Sequence, residues 1–245
     1  MPATPAWPPK SLPRLFVRSA LAAGATVELD AGQANYLGNV MRLQHDDHVL
    51  LFDGASGEWL ARITEAGKKR MTLQVEDPTR EQEAVPDCWL AFAPVKRAQT
   101  DWLVEKATEL GIARLLPVTT ARTIVQRVKL ERLQAIAIEA AEQCNRTSVP
   151  TIEEPQSLAS LLKAGDGRTL YFADESGGEP VGKAFQPGPA TILTGPEGGF
   201  TDEERAAIRS QPHAVPVSLG PRILRAETAA LAALTAYMAL AGDWR

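Results

Sequence analysis

The sequence is poor in groups that serve covalent, redox or metal chemistry. Its two cysteines, Cys88 and Cys144, lie far apart and form no CxxC pair, so they read as small buried hydrophobes of a protein kept in a reducing compartment. Of the three histidines, His45 and His48 bracket two aspartates in HDDH, while His213 stands alone. With no further ligand set beside it, HDDH reads as a helix-to-strand turn, and no metal is expected. No GxxxxGK[ST], GxGxxG or GxSxG occurs, which removes most support for ATP hydrolysis, dinucleotide chemistry and acyl transfer. The longest charge-free run, residues 228–242, is shorter than the ~18 to 20 apolar residues that span a bilayer and contains Thr and Tyr. The first residues carry proline at positions 2, 5, 8 and 9 and no apolar core. They resemble neither a secretory signal nor a helix, so residues 1–13 read as a loose tail. A cytoplasmic protein without a membrane span is expected.

What is present suits one to two domains of ordinary size in 245 residues. The net charge of −4 argues weakly against general nucleic-acid binding, yet the charge is uneven. Residues 84–150 hold 9 basic and 7 acidic side chains, and Arg122, Arg127, Lys129, Arg132 and Arg146 fall within one strand-loop-helix unit. Such a cluster suits a local phosphate-facing patch or a solvated helix face, and charge alone favours the second.

From Arg14 to about Glu83 the pattern is mostly β. RLFV and ATVEL are short strands, HVLLFDGASGEWLARITEA is a strand, a Gly-containing turn and a strand, and RMTLQVED is a further strand. Between them Asp30 to Gln33 looks like a capping box, followed by Tyr36, Leu37, Val40, Met41 and Leu43 at helical spacing. One short helix against a small β-barrel is expected over residues 1–83. The basic KKR at 68–70 reads as a charged hairpin tip or a phosphate contact. After the charged, Pro-containing segment 81–87, apolar runs alternate with helical patterns through residues 84–245: CWLAFA, TDWLVEKATEL closed by Gly111, ARLLPV, LERLQAIAIEAAEQC, TLYFA and two later units. That alternation predicts an α/β domain with a mostly parallel sheet. Leu133, Ile136, Ala137, Ala140 and Cys144 share one face of the second helix and belong to its core.

The last two units share a grammar of buried strand, glycine turn and helix. Residues 190–194 lead into GPEGGF and a helix start at Thr201, and residues 215–218 lead through LGPRILR into a long Ala-rich helix. Ligands of open α/β sheets sit outside the carboxyl ends of the strands, where glycine lets backbone approach them. The pocket expected there has Glu197, Arg222, Arg225 and Glu227 nearby. The final helix, with Ala229 to Leu234 almost free of polar residues, needs cover on all sides from its own domain or from a second copy.

GPEGGF, LGPRILRAETA and EQCNR, together with RLFV and YLGNVMRL…VLLFDG, resemble the RsmE family of 16S ribosomal RNA uridine-N3 methyltransferases, within the SPOUT superfamily, over nearly the whole chain from Arg14. The resemblance implies a PUA-like RNA-binding domain over 1–83 and a SPOUT domain over 84–245 with a deep trefoil knot. It implies S-adenosylmethionine held between the knot loops, with small-subunit ribosomal RNA or the 30S particle as partner and a homodimer as the assembly. The cofactor residues it implies are Leu193, Thr194, Gly195, Glu197, Gly198 and Gly199 in one loop. The other loop supplies Leu219, Gly220, Ile223, Leu224, Arg225 and Thr228. Leu193, Leu219, Ile223 and Leu224 would supply apolar walls for an adenine. Uridine N3 carries a proton at neutral pH, so Arg225 is the candidate to stabilise charge on the uracil and Glu227 the candidate base. A mere pairing of Arg225 with Glu227 to fix the loop is the equal alternative. RNA contacts fall to Arg14, Lys106, Arg122, Arg146 and Arg222. Two positions depart from the family pattern: Gln99 replaces a lysine, and Asp46-Asp47 replaces Gly-Asp. Methylation of another ribosomal or transfer RNA base or ribose, or RNA binding without catalysis, are the competing readings.

Overall fold

The computed structural model describes residues 12–67, 70–125, 127–165 and 167–244, and the chain divides into two compact units. The first comprises residues 1–83 with 145–148, the second residues 84–144 and 149–245. Most of the expected tail, with Lys68 and Lys69 of the KKR run, lies outside the described residues.

The first unit holds β1 (Arg14–Phe16), β2 (Thr26–Glu28), α1 (Ala31–Asn35), β3 (His48–Phe52), β4 (Glu58–Ala66) and β5 (Met71–Arg80). The strands form one sheet in the order β1-β3-β4-β5-β2, antiparallel except for β1 on β3. Alternation along β4 and β5 sends Ala61, Ile63, Met71, Leu73 and Val75 into the core. The capping box is present: Asp30 accepts from the Gln33 backbone N–H at 2.9 Å, and Gln33 Oε1 accepts from that of Asp30 at 3.3 Å. The apolar stripe after it is not buried as its spacing predicted. The helix widens to a π turn over Tyr36–Val40, which shifts the register, so Leu37 is enclosed while Tyr36, Val40 and Met41 face solvent. Asp46 takes a left-handed φ of 71°, the conformation glycine adopts most easily.

The second unit follows with β6 (Cys88–Phe92), α2 (Arg97–Glu109), β7 (Arg114–Thr119), α3 (Leu130–Gln143), β8 (Thr151–Ile152), β9 (Gln156–Ser157), α4 (Leu158–Ala164) and β10 (Thr169–Ala173). It ends with β11 (Glu179–Pro180), α5 (Val181–Ala184), β12 (Ala190–Thr194), α6 (Asp202–Arg209), β13 (Ala214–Ser218) and α7 (Ala226–Leu240). The strand order is β11-β13-β10-β12-β6-β7-β8, all parallel, with β9 beside β7. Helices cover both faces, so every residue of β12 is buried and the strand reads as an unbroken run.

Gly111 ends α2 as its position predicts. With φ of 90° it donates to Thr108 O at 3.0 Å, while Ile112 N–H reaches Ala107 O at 3.2 Å, a Schellman closure. The last helix corrects its expectation in part. The domain buries Ala230, Ala233, Leu234, Tyr237 and Met238, and Tyr237 Oη donates to Gly188 O at 2.7 Å. The opposite face, including Thr235, Ala239 and Leu240, is open to solvent, so cover by this unit is one-sided.

Candidate functional site at the carboxyl edge of the parallel sheet

Because the strands are parallel, the loops after β6, β7, β10, β12 and β13 emerge along one edge. The turn after β12 is built on close contacts. A side chain at Gly195 would meet the Phe200 ring at 3.2 Å, and one at Gly199, whose φ is 67°, would lie 2.7 Å from Glu175 Oε1. Gly198 O accepts from Arg122 Nη1 at 2.6 Å, and Ala121 N–H donates to Glu204 Oε1 at 2.7 Å, so the loop after β7 clasps this turn. Thr201 and Glu204 close a capping box that starts α6.

The loop after β13 is open. Gly220 has φ of 104° and free space where a Cβ would stand. Among the described residues, the backbone of 220–224 makes no hydrogen bond to other backbone, and its one bond to a side chain is the long Gly220 N–H to Ser218 Oγ at 3.4 Å. Backbone donors and acceptors left this way, between half-buried Leu219 and Leu224, offer a ligand edge the pairing that secondary structure would otherwise consume. Arg225 is the exposed N-cap residue of α7 and Glu227 sits half-buried in its first turn.

A buried charge network, absent from the sequence reading, anchors the same edge. The fully enclosed carboxylate of Asp174 accepts from Ser176 N–H at 2.9 Å, Ser176 Oγ at 2.7 Å, Arg209 Nη2 at 2.7 Å and Arg205 Nη1. Arg205 also meets Glu175 Oε1 at 2.9 Å and Phe200 O at 3.4 Å, linking the loops after β10 and β12. Burial pushes the Asp174 carboxyl up, but the Ser176 bonds and the two guanidinium groups outweigh it and hold the group below its ordinary range. The signal in the sequence was the acid run directly after TLYFA, opposite two arginines four apart in DEERAAIR.

The model of the RNA methyltransferase domain matches residues 81–238, and that of the RNA methyltransferase PUA domain matches residues 29–76. The chain is 32% identical over 226 residues to the ribosomal RNA small subunit methyltransferase E of Rickettsia conorii, covering 90% of this chain and 93% of that one. It is 34% identical over 237 residues to the protein of the same name from Synechocystis, covering 93% and 77%. The chain belongs to this RNA methyltransferase family. A solved ribosomal RNA small subunit methyltransferase E from Neisseria gonorrhoeae, bound to S-adenosyl methionine, superposes with a TM-score of 0.86 at 31% identity, over 96% of this chain and 100% of that one. A protein from Legionella pneumophila, solved in complex with the same cofactor, gives 0.86 at 28% identity over 94% and 98%.

Within this methyltransferase the expected residues fall into three groups. Gly195, Glu197, Gly198, Gly199, Leu219, Gly220, Leu224, Arg225, Glu227 and Thr228 lie on the two loops and the helix start at this edge. Leu193 and Thr194 do not reach it with their side chains: both are enclosed in β12, and Thr194 O already accepts from Ala93 N–H at 3.1 Å. Ile223 is 91% exposed, so it forms no wall in this structure. Arg225 and Glu227 make no ion pair with each other among the described residues.

Two of the RNA contacts are corrected. Arg14 is 7% exposed and bound to Glu58 at 2.6 Å, and Arg146, also 7% exposed, pairs with Glu83 at 3.3 Å and donates to Ser148 Oγ at 2.8 Å. Both guanidinium groups neutralise carboxylates inside the first unit, which withdraws them from phosphate. Lys106 is held between Glu105 at 2.7 Å and Glu109 at 2.8 Å. Arg122 is spent on the glycine turn, and Arg222 is exposed.

Proposed function

We propose that this chain methylates N3 of a uridine in small-subunit ribosomal RNA, in the cytoplasm, with S-adenosylmethionine as donor. The observation that carries the reading is the unpaired backbone of 220–224 beside a glycine turn with room at Gly220. The residues present fit an adenosyl group: apolar Leu219 and Leu224, open backbone amides and carbonyls, and glycines that admit close approach. When bound, the cofactor supplies an electrophilic methyl group.

The protein's share is alignment and charge. Backbone of the two turns would orient the cofactor, and alignment of this kind is worth several kcal/mol of a bimolecular barrier. Arg225, exposed at the start of α7 and unpaired with Glu227, is free to face the negative charge that develops on the uracil. Glu227, in the first turn of α7 two positions after Arg225, is the candidate to take the N3 proton. The path from β13, outside β10, back to α7, which lies against α2, β6 and β12, supports reading the carboxyl-terminal segment as a deep trefoil knot. The first unit is read as a PUA-like barrel, and the apolar outer face of α7 as a homodimer contact.

Mass spectrometry of nucleosides, from small-subunit ribosomal RNA and assembled particles incubated with protein and labelled cofactor, is the test. Label in N3-methyluridine is expected. Label in a ribose 2′-O-methyl or in another base would overturn the uridine assignment, and RNA binding without calorimetric uptake of the cofactor would leave a non-catalytic RNA-binding protein.

A further inference from the structure

The same edge of the second unit carries a cavity of about 160 Å³ between the starts of α2 and α3. Pro94, Val95, Val125, Val128 and Leu133 give it an apolar lining, and its remaining wall is dominated by cations: Arg97, Arg127, Lys129 and Arg132 against one acid, Asp101. Asp101 is occupied by Arg132, with nitrogen–oxygen distances of 3.0, 3.1 and 2.7 Å, while Arg97 is 72% exposed and only 3.9 Å from it. Arg127 and Lys129 are exposed and have no carboxylate partner among the described residues. An excess of positive charge around an apolar hollow, in a chain of net charge −4, makes a local field that attracts an anion.

We infer that this cavity binds one nucleotide of the RNA strand that flanks the methylated base, with the base or sugar edge in the hollow and the phosphate on Arg127 and Lys129. The inference rests on the reading of this chain as an RNA methyltransferase. The hollow is smaller than the roughly 300 Å³ of pockets that enclose a whole drug-sized ligand. It therefore suits a single ring or sugar edge rather than a free cofactor. A second copy of the chain as occupant would show as a changed oligomeric state once the cationic wall is removed.

Position supports the assignment. The loop after β7 supplies both Arg122, bonded to Gly198 O, and Val125, which lines the cavity. Three residues of chain reach at most about 10 Å, so Val125 lies no further from Arg122 than about three nucleotides of stacked strand at ~3.4 Å each. The site would thus read the neighbourhood of the target and hold the strand in line with the reacting position.

The experiment is binding of full-length protein to an in vitro transcript of small-subunit ribosomal RNA across a salt series, with calorimetry of cofactor binding alongside. Arg127→Gln combined with Lys129→Gln should make the slope of log affinity against log salt shallower by about 0.7, the value for one neutralised phosphate of a single strand. Carried from 1 M salt to 0.15 M, that slope change is about a fourfold loss of RNA affinity, with cofactor affinity unchanged. Val125→Phe, which fills the hollow, should lower kcat/KM for RNA while leaving the salt slope alone. An unchanged slope in the double variant overturns the inference. So does an equal loss of heparin binding in the double variant together with normal kcat/KM in Val125→Phe, which would make the site a general anion patch, or a changed oligomeric state of the double variant. If the wild-type protein binds no cofactor, the methyltransferase reading fails by itself, and the salt slope still decides whether RNA occupies this cavity.

Discussion

Replacing Asp174 with alanine removes the one carboxylate on which Arg205, Arg209 and Ser176 converge. Breaking a buried ion pair from one side costs about 3–5 kcal/mol, because a charge is left without its partner. Here the lower end applies. Arg209 is 42% exposed and rehydrates, and Arg205, although only 16% exposed, keeps Glu175 at 2.9 Å and Ser176 Oγ at 3.1 Å. A loss of about 3 kcal/mol is a large part of the roughly 5–15 kcal/mol that ordinary domains have. For a chain of this length it lowers Tm by about 6–12 °C. Asp174→Asn, which keeps the shape and one acceptor, should lose about half as much.

The pH dependence fixes the cause. The Asp174 carboxyl titrates below its ordinary range in the folded protein, so its contribution is fully present above the unfolded value of about 3.9 and disappears as pH falls through the lower folded value. The stability gap between wild type and Asp174→Ala should be constant from pH 8 to 5 and narrow only below about pH 4. Urea titrations at these pH values measure it. A gap under 1 kcal/mol at pH 7, or one that already closes between pH 7 and 5, would refute the argument. The same variant should bind cofactor more weakly, since Arg205 links the Asp174 loop to Phe200 at the end of the glycine turn.

Gly199→Ala should raise the cofactor Kd and cost about 1–3 kcal/mol of stability, because a Cβ at φ of 67° lies 2.7 Å from Glu175 Oε1; calorimetry and urea unfolding check both. Gly198→Val should act through Arg122 instead, whose Cδ is 3.3 Å from the added Cβ, so combining it with Arg122→Ala should restore part of the lost cofactor affinity. Arg225→Gln should lower kcat at saturating cofactor and RNA with little change in KM, as expected for a group that acts on transition-state charge; an unchanged kcat removes it from catalysis. Arg146→Ala should destabilise the first unit by about 1–3 kcal/mol, since Glu83 loses its cation but keeps the Ser148 bonds, visible as an earlier urea transition, rather than reduce RNA affinity in the folded protein.

The second unit was legible because its signals are local. The helix start at Thr201, the helix end at Gly111 and the continuous apolar run of β12 each follow from neighbouring residues, and the structure has all three. The long-range pairs were not legible. Arg14 with Glu58 spans 44 positions, Arg146 with Glu83 spans 63, and Arg205 with Asp174 spans 31. A guanidinium in a sequence looks the same whether its carboxylate is a distant residue of the chain or a phosphate of a partner, so counting basic residues overstated the surface available to RNA. The π turn at Tyr36–Val40 defeated a different rule, since periodicity assumes a constant 3.6 residues per turn and one wide turn shifts every later side chain.

Ile223 joins these threads. A 91% exposed isoleucine in a loop whose backbone is unpaired has no structural reason to remain apolar, because solvent would accept any side chain there. Leu219, a few positions earlier, is held by the core, and α7 begins a few positions later, so both ends of the loop are fixed while its crest is not. An apolar crest on fixed ends is what a loop presents when its packing partner is a ligand or another chain rather than its own domain. Ile223→Ser should therefore leave the urea midpoint of the isolated protein unchanged within about 0.5 kcal/mol, as for an ordinary surface position. It should weaken either cofactor binding, read by calorimetry, or self-association, read by light scattering. Loss of stability in the absence of any ligand would mean that the crest packs within its own unit in solution, and a variant unchanged in all three measurements would leave the exposed isoleucine without a function.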